Sequence, residues 1–180
     1  MHWQDTNARY GLISRGFHWA MAALIFWQLG GVTLSLFVEG RPAWLGAWIG
    51  THKSVGTLLL GVALIRALWG LGQLRRRPPA LSRAATLGHI GLYALMIAIP
   101  LAGLAMTYLS GRPLAVFGYS LWGPHDASTL MGAGAFHTAH HWLGWALLAA
   151  VAGHITMALY HHRIKNDGVL SRMLGHSRTG

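Results

Sequence analysis

Cysteine is absent from this 180-residue chain. That excludes disulfides, iron–sulfur clusters and c-type haem attachment, and leaves histidine as the obvious strong metal ligand. Acidic residues are scarce as well: four Asp and Glu stand against fourteen Lys and Arg, and all charged residues together make up 10% of the chain. With a mean hydropathy of +0.40, so little charge argues against a soluble domain and for a membrane protein. The chain contains no catalytic triad, nucleotide loop, metalloprotease motif, internal repeat or low-complexity tract. In excess are twelve histidines and nine tryptophans.

The net charge of +10 and pI near 11.4 invite a nucleic-acid reading, but the basic residues cluster between apolar runs rather than along one soluble face. They read as membrane topology, and no nucleic-acid partner is expected. Four apolar runs stand out, at about 17–38, 44–71, 84–109 and 135–162. The expectation is an all-α, membrane-embedded four-helix up-down bundle forming one domain over 1–180. The first run lacks a convincing cleavage site and reads as a retained helix. The 110–135 connector is the longest, with room for a short helix lying on the membrane surface.

Arg9, Arg15, Arg75, Arg76, Arg77, Arg83, Arg163, Lys165, Arg172 and Arg178 fall on one side of such a bundle. The other side has Arg41 and Arg112 against Glu39 and Asp126, with Lys53 near the interface. Lys and Arg favour cytoplasmic loops, so both termini are expected in the cytoplasm.

His140 and His154 are fourteen positions apart, and the residues between them are apolar or small apart from His141. On a helix that is nearly four turns and about 21 Å of rise, so both rings leave one face at two depths. The orientation assigns depths to the others: His18 pairs with His154 in the inner half, and His52 with His140 in the outer half. Two bis-histidine pairs across a bundle are what two stacked b-type haems require. Each histidine taken alone is explained equally well by a hydrogen bond to a neighbouring helix; the matched depths favour ligation.

Several neighbours compete. His137 lies one turn before His140 on a similar face and is an alternative outer ligand, whereas His141 is rotated by about 100° and cannot share the iron. His89, on span three at the inner level, suits the inner haem edge or a substrate pocket. His161 and His162 read as interfacial, bonding a propionate or a headgroup, and His2, His125 and His176 as solvated. Arg66 stands fourteen residues after His52 at the inner level. A buried arginine needs an anion, and a haem propionate is the natural one; snorkelling to headgroups is the alternative. Lys53 has the same two readings at the outer haem. Gly56, Gly61, Gly103 and Gly144 suit close approach of a porphyrin or of another helix.

Arg15-Gly-Phe-His18-Trp19, His52-Lys-Ser-Val-Gly56 with Arg66-Ala-Leu-Trp69, and Pro78-Pro79 form an ordered set. It continues with Gly88-His89, Tyr93, Ile99-Pro100-Leu-Ala-Gly103, Phe117-Gly118, His140-His141-Trp-Leu-Gly144, His154 and His161-His162. In order and spacing the set resembles the bacterial cytochrome b-561 family of small di-haem membrane cytochromes. The resemblance implies b-type haems, a bacterial cytoplasmic membrane and electron exchange with ubiquinone. One branch of that family oxidises superoxide at the outer face; other members carry electrons for partner dehydrogenases. The expectation is therefore an oxidoreductase between an outer-face donor and quinone, with a quinone site near His89, Arg66 and His161. The alternatives are a conduit subunit for a partner enzyme and a non-redox haem-binding bundle.

Overall fold

The computed structural model describes residues 2–128 and 130–175; the sequence expectations for His176 and Arg178 lie outside the described residues. The helices are α1 (Leu12–Leu34), α2 (Ala43–Gly50), α3 (His52–Gly72), α4 (Arg83–Leu109), α5 (Ala133–Tyr160) and α6 (Val169–Leu174). A π-helical turn, His161–Lys165, extends α5, and two short strands, β1 (Leu114–Val116) and β2 (Tyr119–Trp122), join α4 to α5. Among the described residues, four stretches are long and apolar enough to span a membrane: Leu12–Leu34, Ala43–Gly72, Arg83–Leu109 and Ala133–Lys165. The architecture is a membrane four-helix bundle. One end carries the N-terminal arm, the 73–82 connector and α6; the other carries the hairpin.

The first span starts at Leu12, earlier than the apolar run, because the polar arm caps it. Its first N–H groups have no partner within the helix. The Leu12 and Ile13 N–H groups donate to the His2 and Trp3 carbonyls, and buried Asp5 accepts from the Gly11 N–H at 2.8 Å. The second span is two helices meeting at Thr51. The Thr51 hydroxyl donates to the Trp48 carbonyl at 2.7 Å and accepts from Trp27 Nε1 at 2.8 Å, tying the break to α1. Trp48 lies in a notch on α1: a Cβ at Gly30 or Gly31 would meet its indole at 3.2 or 3.1 Å.

The 110–135 connector holds an antiparallel hairpin, which corrects the expected surface helix. Phe117 (φ 49°) and Gly118 (φ 88°) take the left-handed conformations of a two-residue turn that matches strand twist. Val116 pairs with Tyr119 across it, and the Phe117 N–H donates to Ser54 Oγ at 3.1 Å, docking the hairpin on α3.

Met21, Ile25, Leu59, Ala63, Met96 and Leu147 form a buried layer to which all four spans contribute. Leu147 is seven residues from both His140 and His154, so the layer is an apolar septum between the two histidine depths. In water each such side chain would contribute about 1.5–3 kcal/mol. Between lipid-embedded helices that term largely vanishes, and close packing has to hold the septum together. Outside it, Phe26, Leu64, Leu68, Ile90 and Leu101 are exposed, as a lipid-facing surface requires. Packing is uneven: α5 lies closely on α4, and α3 on α1 and α4, but α5 does not pack closely on α1 or α3. A slot runs between α5 and the α1–α3 pair.

Candidate cofactor-binding site

The paired histidines project into this slot. At the hairpin end His52 on α3 faces His140 on α5, with ring centres 5.9 Å apart. At the terminal end His18 on α1 faces His154 on α5 at 6.3 Å, and His89 on α4 approaches His154 to 5.6 Å. An imidazole nitrogen binds a first-row metal at about 2 Å and lies about 1 Å from its ring centre, so two imidazoles on one iron have centres about 6 Å apart. Both pairs meet that spacing.

A cavity of about 430 Å³ opens between the four spans, lined by His52 and His140 among mostly apolar residues, with Leu114 of the hairpin at its edge. That volume lies within the range of about 300–1,000 Å³ typical of cofactor sites. His140 Nδ1 lies 2.8 Å from the Ile99 carbonyl, which can only accept; Nδ1 therefore carries the proton and Nε2 is left free as a ligand. A Cβ at Gly103 would meet the His140 ring at 3.1 Å, so glycine is what lets this ring lie against α4. On the opposite side Gln28 Nε2 donates to the His52 carbonyl at 2.9 Å, fixing the first turn of α3. Imidazole donors, an apolar slot and a ring-sized notch all suit a haem.

The remaining candidates fall around these pairs. His137 is exposed, and His140 is the residue brought against His52. His141 lines the cavity wall and contacts Trp142 and Trp145. Lys53 is exposed at the same cavity. Arg66 is half-buried, lies over Gly70 one turn nearer the terminal end, and has no ion pair among the described residues. His161 Nδ1 is bonded to Asp167, so this ring is tied to the segment entering α6. His125 is half-buried and stacks on Tyr108 at 4.5 Å, which corrects the expectation that it is solvated. Gly56 lies against Gln28, while Gly61 and Gly144 border open space.

The terminal end is closed by polar contacts. Arg15 donates to the Met173 and Leu174 carbonyls, holding the C-terminus of α6 against the start of α1. Asp167 holds the other end, accepting from the Val169 N–H and pairing with His161. Burial pushes the Asp167 carboxyl up, but the His161 and Val169 hydrogen bonds outweigh it and leave it below its ordinary value. Burial raises the Tyr10 hydroxyl above its usual value against the opposing pull of Arg77. Trp69 Nε1 donates to buried Ser14 at 2.9 Å and locks α3 to α1 beneath these contacts.

Paired imidazoles at two depths of an apolar four-span bundle are the frame of a membrane cytochrome of the b type. The family model described as prokaryotic cytochrome b561 matches residues 9–176, and the chain belongs to that family. It is a prokaryotic membrane haem protein of electron transport. It is 38% identical to "Cytochrome b561 homolog 2" of Escherichia coli (strain K12), over 98% of this chain and 97% of the relative. It is 35% identical to "Cytochrome b561 homolog 1" of the same organism, over 69% and 73%. "Probable superoxide oxidase CybB" of Yersinia pestis is 27% identical over 96% of this chain and 99% of that one.

Sequence reasoning missed Gln28 and the Ile99 carbonyl. Gln28 carried a signal, a polar side chain inside an apolar span. Ile99 carried none, because a backbone acceptor is independent of residue type.

Proposed function

We propose that this protein holds two b haems and moves electrons between a donor at the hairpin end and ubiquinone. The carrying observation is the pair of histidine couples, 5.9 and 6.3 Å across, on opposite sides of one apolar septum. In this reading His52 and His140 hold one iron and His18 and His154 the other. Haem supplies the one-electron chemistry when bound; the chain supplies ligands, insulation and charge. The septum keeps water out between the two sites. Arg66 and Lys53 neutralise haem propionates at the terminal and hairpin ends respectively. The excess of Arg and Lys at the terminal end supports a cytoplasmic location for that end. Quinone binds near His89, Arg66 and His161.

Superoxide is the proposed donor, supported by the likeness to a protein carrying the name superoxide oxidase. Two superoxide ions each give up one electron and leave as dioxygen; one quinone takes two electrons and two protons. The hairpin end has Arg41, Lys53 and Arg112 against Glu39 and Asp126, a balance of 3 − 2 = +1. Steering therefore depends on placement, and Lys53 at the cavity is the best placed. The purified protein is exposed to a superoxide flux while haem absorbance is followed. Reduction is expected, slowing as salt rises and slowing further in Lys53→Glu with haem content unchanged. Haems that stay oxidised in superoxide but are reduced by a quinol defeat the superoxide reading and leave a conduit for a partner enzyme.

A further inference from the structure

The face of α5 that carries His140 and His154 continues to a third histidine. His140, Leu147, His154 and His161 follow one another at seven-residue steps. Seven residues are nearly two turns and about 10.5 Å of rise, so His161 leaves almost the same face as His154, beyond it toward the terminal end. Its backbone is still helical, with φ −63° and ψ −37°. The chain then turns back through the left-handed residues Asn166 (φ 50°) and Gly168 (φ 74°), and α6 leads to Arg15 on α1. His161 therefore stands where the slot between α5 and α1 reaches the terminal end.

Its partner sets it apart from His140. The Nδ1 of His140 bonds a neutral carbonyl, whereas the Nδ1 of His161 bonds a carboxylate oxygen of Asp167, the one ion pair among the described residues. An ionised carboxylate can only accept, so Nδ1 carries a proton, and Nε2 has no hydrogen bond among the described residues. A carbonyl leaves such a ring a ligand. A carboxylate also supports the doubly protonated ring, which can give up a proton from Nε2. The other Asp167 oxygen accepts from the Val169 N–H, so the carboxylate is fixed on both sides. Around the pair, the charge of Arg172 on α6 reaches Asp167, Lys165 lies over the Tyr160 ring at 6.0 Å, and Arg15 is occupied by the α6 carbonyls. The side chains of His161 and Asp167 are 23% and 26% exposed, which lets solvent return a proton to the pair.

We infer that His161 is the proton donor to a quinone oxygen at the terminal end, with Asp167 as its positioning residue. The inference rests on the quinone reading above. A quinone takes two electrons and two protons to become a quinol. The electrons come from the terminal-end haem, which is oxidised. One proton passes from His161 Nε2 to the oxygen it faces, leaving the neutral ring on Asp167, and the other comes from water at the terminal end. His161 regains its proton from the same water.

The test uses the purified full chain, its haems reduced by just enough dithionite in the absence of air. Reoxidation is followed by absorbance after mixing with a short-chain ubiquinone and, separately, with ferricyanide, which takes electrons alone. His161→Gln keeps a donor toward Asp167 but has no proton to give. It is expected to slow the quinone reaction on the order of 100-fold, with haem content and the ferricyanide reaction unchanged, and added imidazole should restore part of the rate. The wild-type quinone rate is expected to fall as pH rises and the ring loses its second proton; in Asp167→Asn that fall should begin at a lower pH. If His161→Gln reacts with quinone at the wild-type rate, or slows equally with both oxidants, the pair merely fastens α6 and the inference is overturned. Should His161→Gln lose haem, Asp167→Asn decides alone, and an unmoved pH profile overturns the inference. Wild-type haems that ferricyanide reoxidises and quinone does not defeat the quinone reading itself, a result distinct from slowing confined to the variants.

Discussion

The two ends of the slot solve the same problem differently. At the hairpin end a backbone carbonyl orients one imidazole, a glycine makes room for it, a glutamine pins the turn carrying the other, and a strand residue borders the cavity. At the terminal end three imidazoles gather with no ring hydrogen bond among the described residues of His18, His89 and His154, and the closure is polar: an arginine, an aspartate and a short helix. The first site is preorganised by packing. The second is capped by polar contacts that respond to solvent. A ligand set held by its surroundings loses little freedom on binding, whereas one without such contacts must be ordered by the ligand itself.

The largest expected effect breaks the sites apart. His140→Ala should take the haem count from two per chain to one, and His154→Ala should remove the other haem, with the survivors differing in absorption maximum. Loss of both haems in each variant, in protein that still inserts, would mean that the sites are not independent. Next is Gly103→Leu, which drives a side chain into the His140 ring. Overpacking of this kind costs about 1–3 kcal/mol, and it should depress occupancy at the hairpin end alone, read as the midpoint of thermal haem release. Gln28→Ala is milder: it removes one hydrogen bond, worth about 0.5–1.5 kcal/mol, and should lower the same midpoint by less.

The smallest effect belongs to the terminal end. The Asp167 carboxyl is held below its unfolded value of 3.8, so its stabilising share is complete above that pH and drains away as pH falls through the lower folded value. Exposed ion pairs contribute about 0–1 kcal/mol, so Asp167→Asn should speed amide exchange in α6 only a few-fold at neutral pH. The variant should lose the wild type's acid-induced loosening, and the hairpin-end haem should be indifferent to both changes.

What was legible in the sequence was periodic. The fourteen-position step from His140 to His154 sets two depths on one helix face, and the structure turns both rings into the same slot. The spans were legible because lipid demands long apolar runs. The hairpin was not: its strands have three and four residues, and its turn is Phe117-Gly118, where the aromatic hides the turn signal. The docking of α6 was hidden too, since Arg15 meets two backbone carbonyls that have no sequence signature. Loop charge counted for topology says nothing about which arginine folds back on its own chain.

Helix α5 supplies one member of each histidine pair, and it is the last of the four spans in chain order. During synthesis, the chain up to Leu109 therefore presents His18 and His52 at opposite depths, each waiting for a partner that has not yet been made. Both couples are completed by one insertion event. The bundle cannot close around a ligand at one level while the other still lacks its final wall, so the timing of assembly is set by a single late helix.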